Sequence, residues 1–187
     1  IIFSNITQYF KNGACNILPG LYDEELKTKI EELNIKVVSS LHIKWGITHL
    51  EYYITKDGIL FGEVALRPPG GYIMETLELA YSQSFWELFI NIELNQKNIV
   101  VNKSSLYTSV IIIHPGAGTV KEIIGLEEVE KLKSKVKLNL KLKIGDVIPE
   151  REGVGQDYGY LVLANKDPKV LLADTKTYFN KFKIVVN

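Results

Sequence analysis

The chain reads as an α+β protein in two parts, an antiparallel sheet with helices over residues 1–98 and a smaller β-rich unit over 99–187. Three observations point there. Two runs rich in β-branched and aromatic residues, Ile47 to Thr55 and Ile59 to Arg67, flank Lys56-Asp57-Gly58 and read as a hairpin. Two stretches after it, Ile73 to Ala80 and Phe85 to Leu94, carry Met74, Leu77, Trp86, Phe89 and Ile90 as apolar residues of helical segments broken near Ser82-Gln83-Ser84. From about Lys97 the character changes, and Val136, Leu138, Leu140 and Leu142 alternate with polar neighbours as a half-exposed antiparallel strand does.

In chain order, Ile1-Ile2-Phe3-Ser4 reads as strand and Asn12 to Gly20 as a loop ending in Leu-Pro-Gly. Asp23 is the expected N-cap of a helix in which Leu26, Ile30 and Leu33 recur at helical spacing, with Ile35, Val38 and Leu41 extending the pattern towards Ile43. This helix is expected behind the hairpin, and Lys44-Trp45-Gly46 turns into it. In the second part Leu106 to Ile113 is strand-like, His114 to Gly118 a turn, Leu126 to Leu132 a short helix and Lys135 to Lys143 a strand. Gly145-Asp146 turns into Val147-Ile148-Pro149, Tyr158 to Ala164 supplies another strand, Pro168 to Phe182 a helix, and Lys183 to Val186 a last strand.

The hairpin carries the functional signal. A three-residue loop with Gly58 closing a bulge sets Thr55 against Ile59 and Glu51 directly opposite Glu63, whereas a two-residue Asp57-Gly58 turn sets Glu51 against Val64. The first register gives a core face of Leu50, Tyr52, Ile54, Leu60, Gly62, Val64 and Leu66. All charges then fall on the other face, with His49, Glu51, Tyr53, Phe61, Glu63, Ala65 and Arg67. Opposed carboxylates with Cβ atoms about 5 Å apart repel, so a cation belongs between them. A hard divalent ion such as Mg²⁺ suits such a pair, because it takes one or two carboxylates and completes its octahedron with phosphate and water oxygens. The ordinary competitor is a solvated strand face neutralised by Arg67.

The run from Glu51 through Asp57-Gly58 to Glu63-Val-Ala-Leu-Arg67-Pro-Pro-Gly-Gly71 resembles the end of an ATP-grasp catalytic domain, where an acidic strand, a DG turn and a Glu-x-Asn-x-Arg strand build the Mg-ATP site. The resemblance implies that Glu51 and Glu63 bind the metal ions bridging the ATP phosphates, Mg²⁺ or alternatively Mn²⁺. It implies that Arg67 stabilises the acyl-phosphate or tetrahedral transition state, that Tyr53 contacts adenine, and that Gly70 and Gly71 offer backbone N–H groups to an anionic substrate. One departure stands out: many members have Asn two residues after the second glutamate as a further ligand, and this chain has Ala65. The implied activity is ATP-dependent ligation of a small carboxylate to an amine or similar nucleophile. A biotin-carboxylase-like enzyme is the alternative within enzymes, and a non-catalytic binding or assembly module the alternative outside them. Glu75 is a candidate specificity residue by its position in the family. The segment from residue 99 is similar to the C-terminal domain of the amino-acid ligase and biotin-carboxylase-like groups, and Ile1 to Ser4 resembles the strand that enters the second half of the catalytic domain. On that basis the chain is expected to be a C-terminal fragment, α+β, lacking the N-terminal half and lid, binding nucleotide poorly and catalysing nothing alone.

The rest of the sequence excludes more than it assigns. Lysine plus arginine and aspartate plus glutamate number 22 each, so there is no basic field for nucleic acid. No apolar run approaches the length of a membrane helix, and the single cysteine, Cys15, rules out an internal disulfide and fits a reducing, cytoplasmic setting. Cys15 is expected as a small buried or loop residue. Gly116-Ala117-Gly118 lacks the third glycine of a nucleotide loop and reads as a turn, as do the glycines between Gly153 and Gly159. His42, His49 and His114 have no metal-ligand spacing, though His49 shares the acidic face. A homodimer is a further expectation, with Val110 to Ile113 as the interface strand.

Overall fold

A five-stranded antiparallel sheet carries the core, and its strands come from both ends of the chain. The computed structural model describes residues 5–10, 13–96, 99–153 and 156–187. The elements in order are β1 (Asn5–Phe10), β2 (Gly13–Leu18), α1 (Glu24–Ser40), β3 (His49–Thr55), β4 (Gly58–Ala65), α2 (Ile73–Tyr81), α3 (Phe85–Glu93) and β5 (Tyr107–Ile112). They continue with β6 (Gly118–Ile124), α4 (Leu126–Glu130), β7 (Lys135–Leu140), β8 (Val147–Ile148), β9 (Gly159–Asn165), α5 (Pro168–Lys181) and β10 (Lys183–Val186). The large sheet runs β1-β2-β5-β9-β7, a small one β10-β6-β8, and β3-β4 stand as a separate pair.

The two faces of the large sheet are each covered. Ile17, Ile111, Leu161 and Leu163 meet Val129 of α4 and Leu171 and Tyr178 of α5 in one cluster. On the opposite face Val110 and Val162 pack with Leu79 of α2, and Leu18 joins Met74, Leu77 and Ala80 of the same helix. Burial on both sides explains why β9 reads as the unbroken apolar run Tyr160 to Leu163 rather than as an alternation.

Local chemistry sets the helix starts as expected. Asp23 accepts from the Leu26 N–H at 2.8 Å, Ser84 accepts from the Glu87 N–H at 3.2 Å, and Asp167 accepts from the Lys169 N–H at 2.8 Å beside Pro168 at the first helical position.

Other expectations are corrected. Asn12 to Gly20, read as a loop, contains strand β2, whose residues Cys15 to Leu18 pair with Ile111 to Thr108 of β5. The polar Asn16 is tolerated there because its Oδ1 accepts the Val110 N–H at 3.0 Å. The expected turn from His114 ends in a strand, β6, that the sequence reading passed over. Val110 to Ile113, expected as an interface, is instead interior: Val110, Ile111 and Ile113 are all buried, and β5 has β2 and β9 on its two sides. The division expected at residue 98 has β1 and β2 before it and β5, β7 and β9 after it, so one sheet draws strands from both sides. The β10-β6-β8 sheet lies wholly after it. The strand read at Ile1 to Ser4 lies outside the described residues.

Candidate functional site

Glu51 and Glu63 are cross-strand partners on the β3-β4 hairpin. The register reaches that pairing by a different route from the one expected. Only Lys56 and Asp57 link the strands, so Thr55 faces Gly58 and Tyr52 faces Phe61; an irregularity then passes over Gly62 and brings Glu63 opposite Glu51. The Thr55 hydroxyl closes the turn, donating to the Gly58 carbonyl at 2.9 Å and accepting from the Asp57 N–H at 3.2 Å. Gly62 supplies the bulge because a Cβ there would lie 2.9 Å from the Glu51 carbonyl oxygen and 3.2 Å from Tyr53 Cε2.

Between turn and bulge the faces differ from the expected ones. Leu60, expected beside Tyr52, pairs with Tyr53, and Phe61, expected on the charged face, pairs with Tyr52. The expected core face is only partly covered: Leu50, Tyr52 and Val64 are half-buried, whereas Ile54 and Leu60 are 50% and 57% exposed. Tyr52 and Tyr22 meet through their hydroxyls at 3.4 Å, and burial pushes both phenols up, keeping them protonated. Tyr53 is exposed on the Glu51 side.

The Arg67 side chain is exposed and its Nη1 donates to the Pro68 carbonyl at 2.9 Å. Among the described residues no ion pair joins Arg67 to either glutamate. His49 Nδ1 stands 3.9 Å from Glu51 Oε1 and is itself a buried atom with no hydrogen-bond partner. His49 also faces Ala65 across the strands, at the position where the asparagine of the resemblance would stand.

Two carboxylates are therefore held opposite each other, and among the described residues no lysine or arginine pairs with either. Such a donor set fits a hard divalent cation. Among the described residues no group of three or more His, Cys, Asp or Glu side chains is placed to hold a metal, so the chain's own contribution is limited to the pair.

Gly70 and Gly71 precede α2, with open space where a side chain on either would lie and with Gly71 at φ 62°. The turn is anchored by Tyr72, also left-handed at φ 62°. Its ring stacks on Tyr160 at 3.9 Å between centroids, and its hydroxyl donates to Asp157 Oδ2 at 3.0 Å. Lys141 Nζ donates to Asp157 Oδ1 at 2.7 Å, and the Gly159 N–H to the same oxygen at 3.1 Å. Burial alone would push the Asp157 carboxyl up, but these three donors outweigh it and hold it below its ordinary value. Sequence reasoning treated Asp157 as part of a plain glycine-flanked loop; an isolated carboxylate beside two aromatic residues was the available signal. Glu75 is engaged by Lys137 Nζ at 3.2 Å, Cys15 is buried, and His114 lies edge-on to Tyr158 away from the glutamates.

No protein-family model matches the chain. It is 32% identical over 191 residues to the L-arginine-specific L-amino acid ligase of Bacillus subtilis, a match covering 96% of the chain and 46% of that protein. Its fold matches the L-amino acid ligase of Bacillus licheniformis with a TM-score of 0.73 at 21% identity, over 96% of the chain and 45% of the other. The chain has the ATP-grasp fold. Phosphoribosylglycinamide synthetase from Anaerococcus prevotii, at 13% identity and a TM-score of 0.73, shares the fold over all of this chain and 49% of its own. The helices and antiparallel sheets are those of the C-terminal half of the ATP-grasp fold, and the chain spans about half the length of the curated relative it matches. Within this ATP-grasp chain, no described helix is long and apolar enough to cross a membrane.

Proposed function

We propose that this chain contributes the metal-nucleotide site of an ATP-dependent ligase that joins a small carboxylate to an amine or similar nucleophile. The observation that carries the reading is the cross-strand opposition of Glu51 and Glu63, with no lysine or arginine ion-paired to either among the described residues. Glu51 and Glu63 would hold Mg²⁺, which would supply positive charge against the negative charge of the ATP phosphates. Arg67, free of the glutamates and exposed at the end of the hairpin, donates to the transferring phosphoryl group and to the oxyanion of the addition step. Gly70 and Gly71 let backbone N–H groups approach the anion, and the Tyr72 anchor keeps that turn at a fixed height above the sheet. Tyr53, exposed on the Glu51 side of the bulge, flanks the adenine.

A carboxylate is a poor electrophile. Transfer of the γ-phosphoryl group to its oxygen releases ADP and gives an acyl phosphate, and attack by the amine then releases phosphate. The residues named act by position and charge, as phosphoryl transfer requires.

Calorimetric titration of Mg-ATP into the full-length protein tests the reading. Glu51→Gln and Glu63→Gln are each expected to weaken magnesium-dependent binding at least about tenfold. Magnesium-dependent binding unchanged by both substitutions would refute the assignment. If the nucleotide binds but no carboxylate stimulates ADP release, the non-catalytic module, which Ala65 favours, takes the place of the ligase.

A further inference from the structure

A cavity of about 390 Å³ opens between the hairpin, α1 and the α2-α3 pair, and nothing above has used it. We propose, on the ligase reading, that it receives the side chain of the activated carboxylate and selects an aliphatic or aromatic amino acid over a cationic one. Its volume lies in the lower range of small-molecule pockets, about 300–1,000 Å³.

The floor belongs to the core: Leu18 of β2, Ile30 of α1, Met74 and Leu77 of α2 and Leu88 of α3 are all buried. The walls are therefore pre-formed. Among the described residues, no aspartate, glutamate, lysine or arginine lines the cavity. A guanidinium or ammonium group placed there would leave water without a carboxylate to meet it, which is strongly unfavourable. The relative specific for L-arginine cannot lend its substrate to a pocket with this lining.

Polarity is confined to Asn34 and to residues at the start of β3 and along it, Thr48, His49 and Tyr52. His49 links the cavity to the metal-nucleotide site, because its orphan Nδ1 sits 3.9 Å from Glu51 Oε1. Pro69, two residues after Arg67, lines the cavity as well. A ligand seated with its apolar end on Met74 and Leu77 would thus present its polar head towards the side on which Glu51 and Arg67 stand.

The test uses the full-length protein with L-leucine, L-phenylalanine and L-arginine as probes, reading both ADP release with Mg-ATP and direct calorimetric binding of each amino acid. The apolar probes are expected to show KM and Kd values at least about tenfold below those of L-arginine. Thr48→Trp, which fills the cavity from its rim, raises both values for the apolar probes by about tenfold with the affinity for Mg-ATP unchanged. Val101→Glu, at an already exposed lining position, shifts the preference towards L-arginine. A preference of the unmodified protein for L-arginine overturns the proposal, as does a folded Thr48→Trp variant that binds the apolar probes unchanged. Binding of the apolar probes without ADP release from any amino acid supports the cavity assignment and counts against the ligase reading alone.

Discussion

The Tyr72 hydroxyl donates a 3.0 Å hydrogen bond to Asp157 across 85 residues of sequence. It ties the Gly70-Gly71 turn, which enters α2, to the segment that enters β9. Tyr72 adopts a left-handed backbone that a non-glycine residue rarely takes, so its ring and hydroxyl contacts must outweigh local strain. Removing the hydroxyl alone, Tyr72→Phe, is expected to lower stability by about 0.5–1.5 kcal/mol in urea unfolding, with the denaturant slope unchanged.

The Asp157 and Lys141 pair makes a prediction about pH. The Asp157 carboxyl is held below its ordinary 3.8, so its contribution is complete above that value and disappears as pH falls through the lower folded-state value. The Lys141 ammonium, hydrogen-bonded to Asp157, is raised above its ordinary 10.5, so its contribution is complete below that value and disappears as pH rises beyond it. The stability difference between the native protein and Asp157→Asn should be flat between those limits and shrink only on the acid side of 3.8 or the alkaline side of 10.5. A difference that instead changes through neutral pH would show another group to be involved.

Gly62→Ala tests the bulge. The new Cβ would be 2.9 Å from the Glu51 carbonyl, so either the strands part or the register slips. The expected cost is about 1–3 kcal/mol of thermal stability, accompanied by loss of magnesium-dependent nucleotide binding because Glu63 no longer faces Glu51. Retained binding at native strength would show that the bulge does not set the carboxylate pair.

Leu161→Ala probes the core. Leu161 is fully buried at the middle of β9, between β5 and β7, in the cluster that joins the sheet to α4 and α5. A loss of about 2–5 kcal/mol in chemical unfolding is expected.

On the proposed reading, Arg67→Ala is expected to lower kcat of the full-length protein by about 10²–10³ while Mg-ATP affinity in calorimetry changes little, because that reading assigns its donors to charge that develops during transfer. A fall in affinity with kcat unchanged would make Arg67 a binding residue only.

The hairpin was legible for local reasons. Its two strands are contiguous, its turn holds Asp57-Gly58, and its carboxylates are separated by a distance that pairing can close. The loop length was misjudged because the compensating bulge leaves almost no trace: Gly62 in a strand is also compatible with an ordinary weak position. β2 was missed because Gly13, Ala14 and Asn16 look like loop chemistry, and only the distant Val110 N–H gives the Asn16 Oδ1 a partner in the interior. The cavity was invisible for a further reason. Its lining residues, from Leu18 to Val101, are spread over six parts of the chain, and its apolar members read as core by themselves.

The sequence by itself determined the starts of α1, α3 and α5 through Asp23, Ser84 and Asp167, the chemical identity of the hairpin carboxylates, and the balance of 22 basic against 22 acidic residues. These are properties of near neighbours or of composition, and side chains a few residues apart suffice to fix them. Tertiary structure alone decided that β2 pairs with β5 some ninety residues away, that Gly62 re-registers the glutamates, and that Tyr72 meets Asp157. A strand's alternation specifies which face is buried but not which partner buries it, so those choices wait for the whole chain to pack.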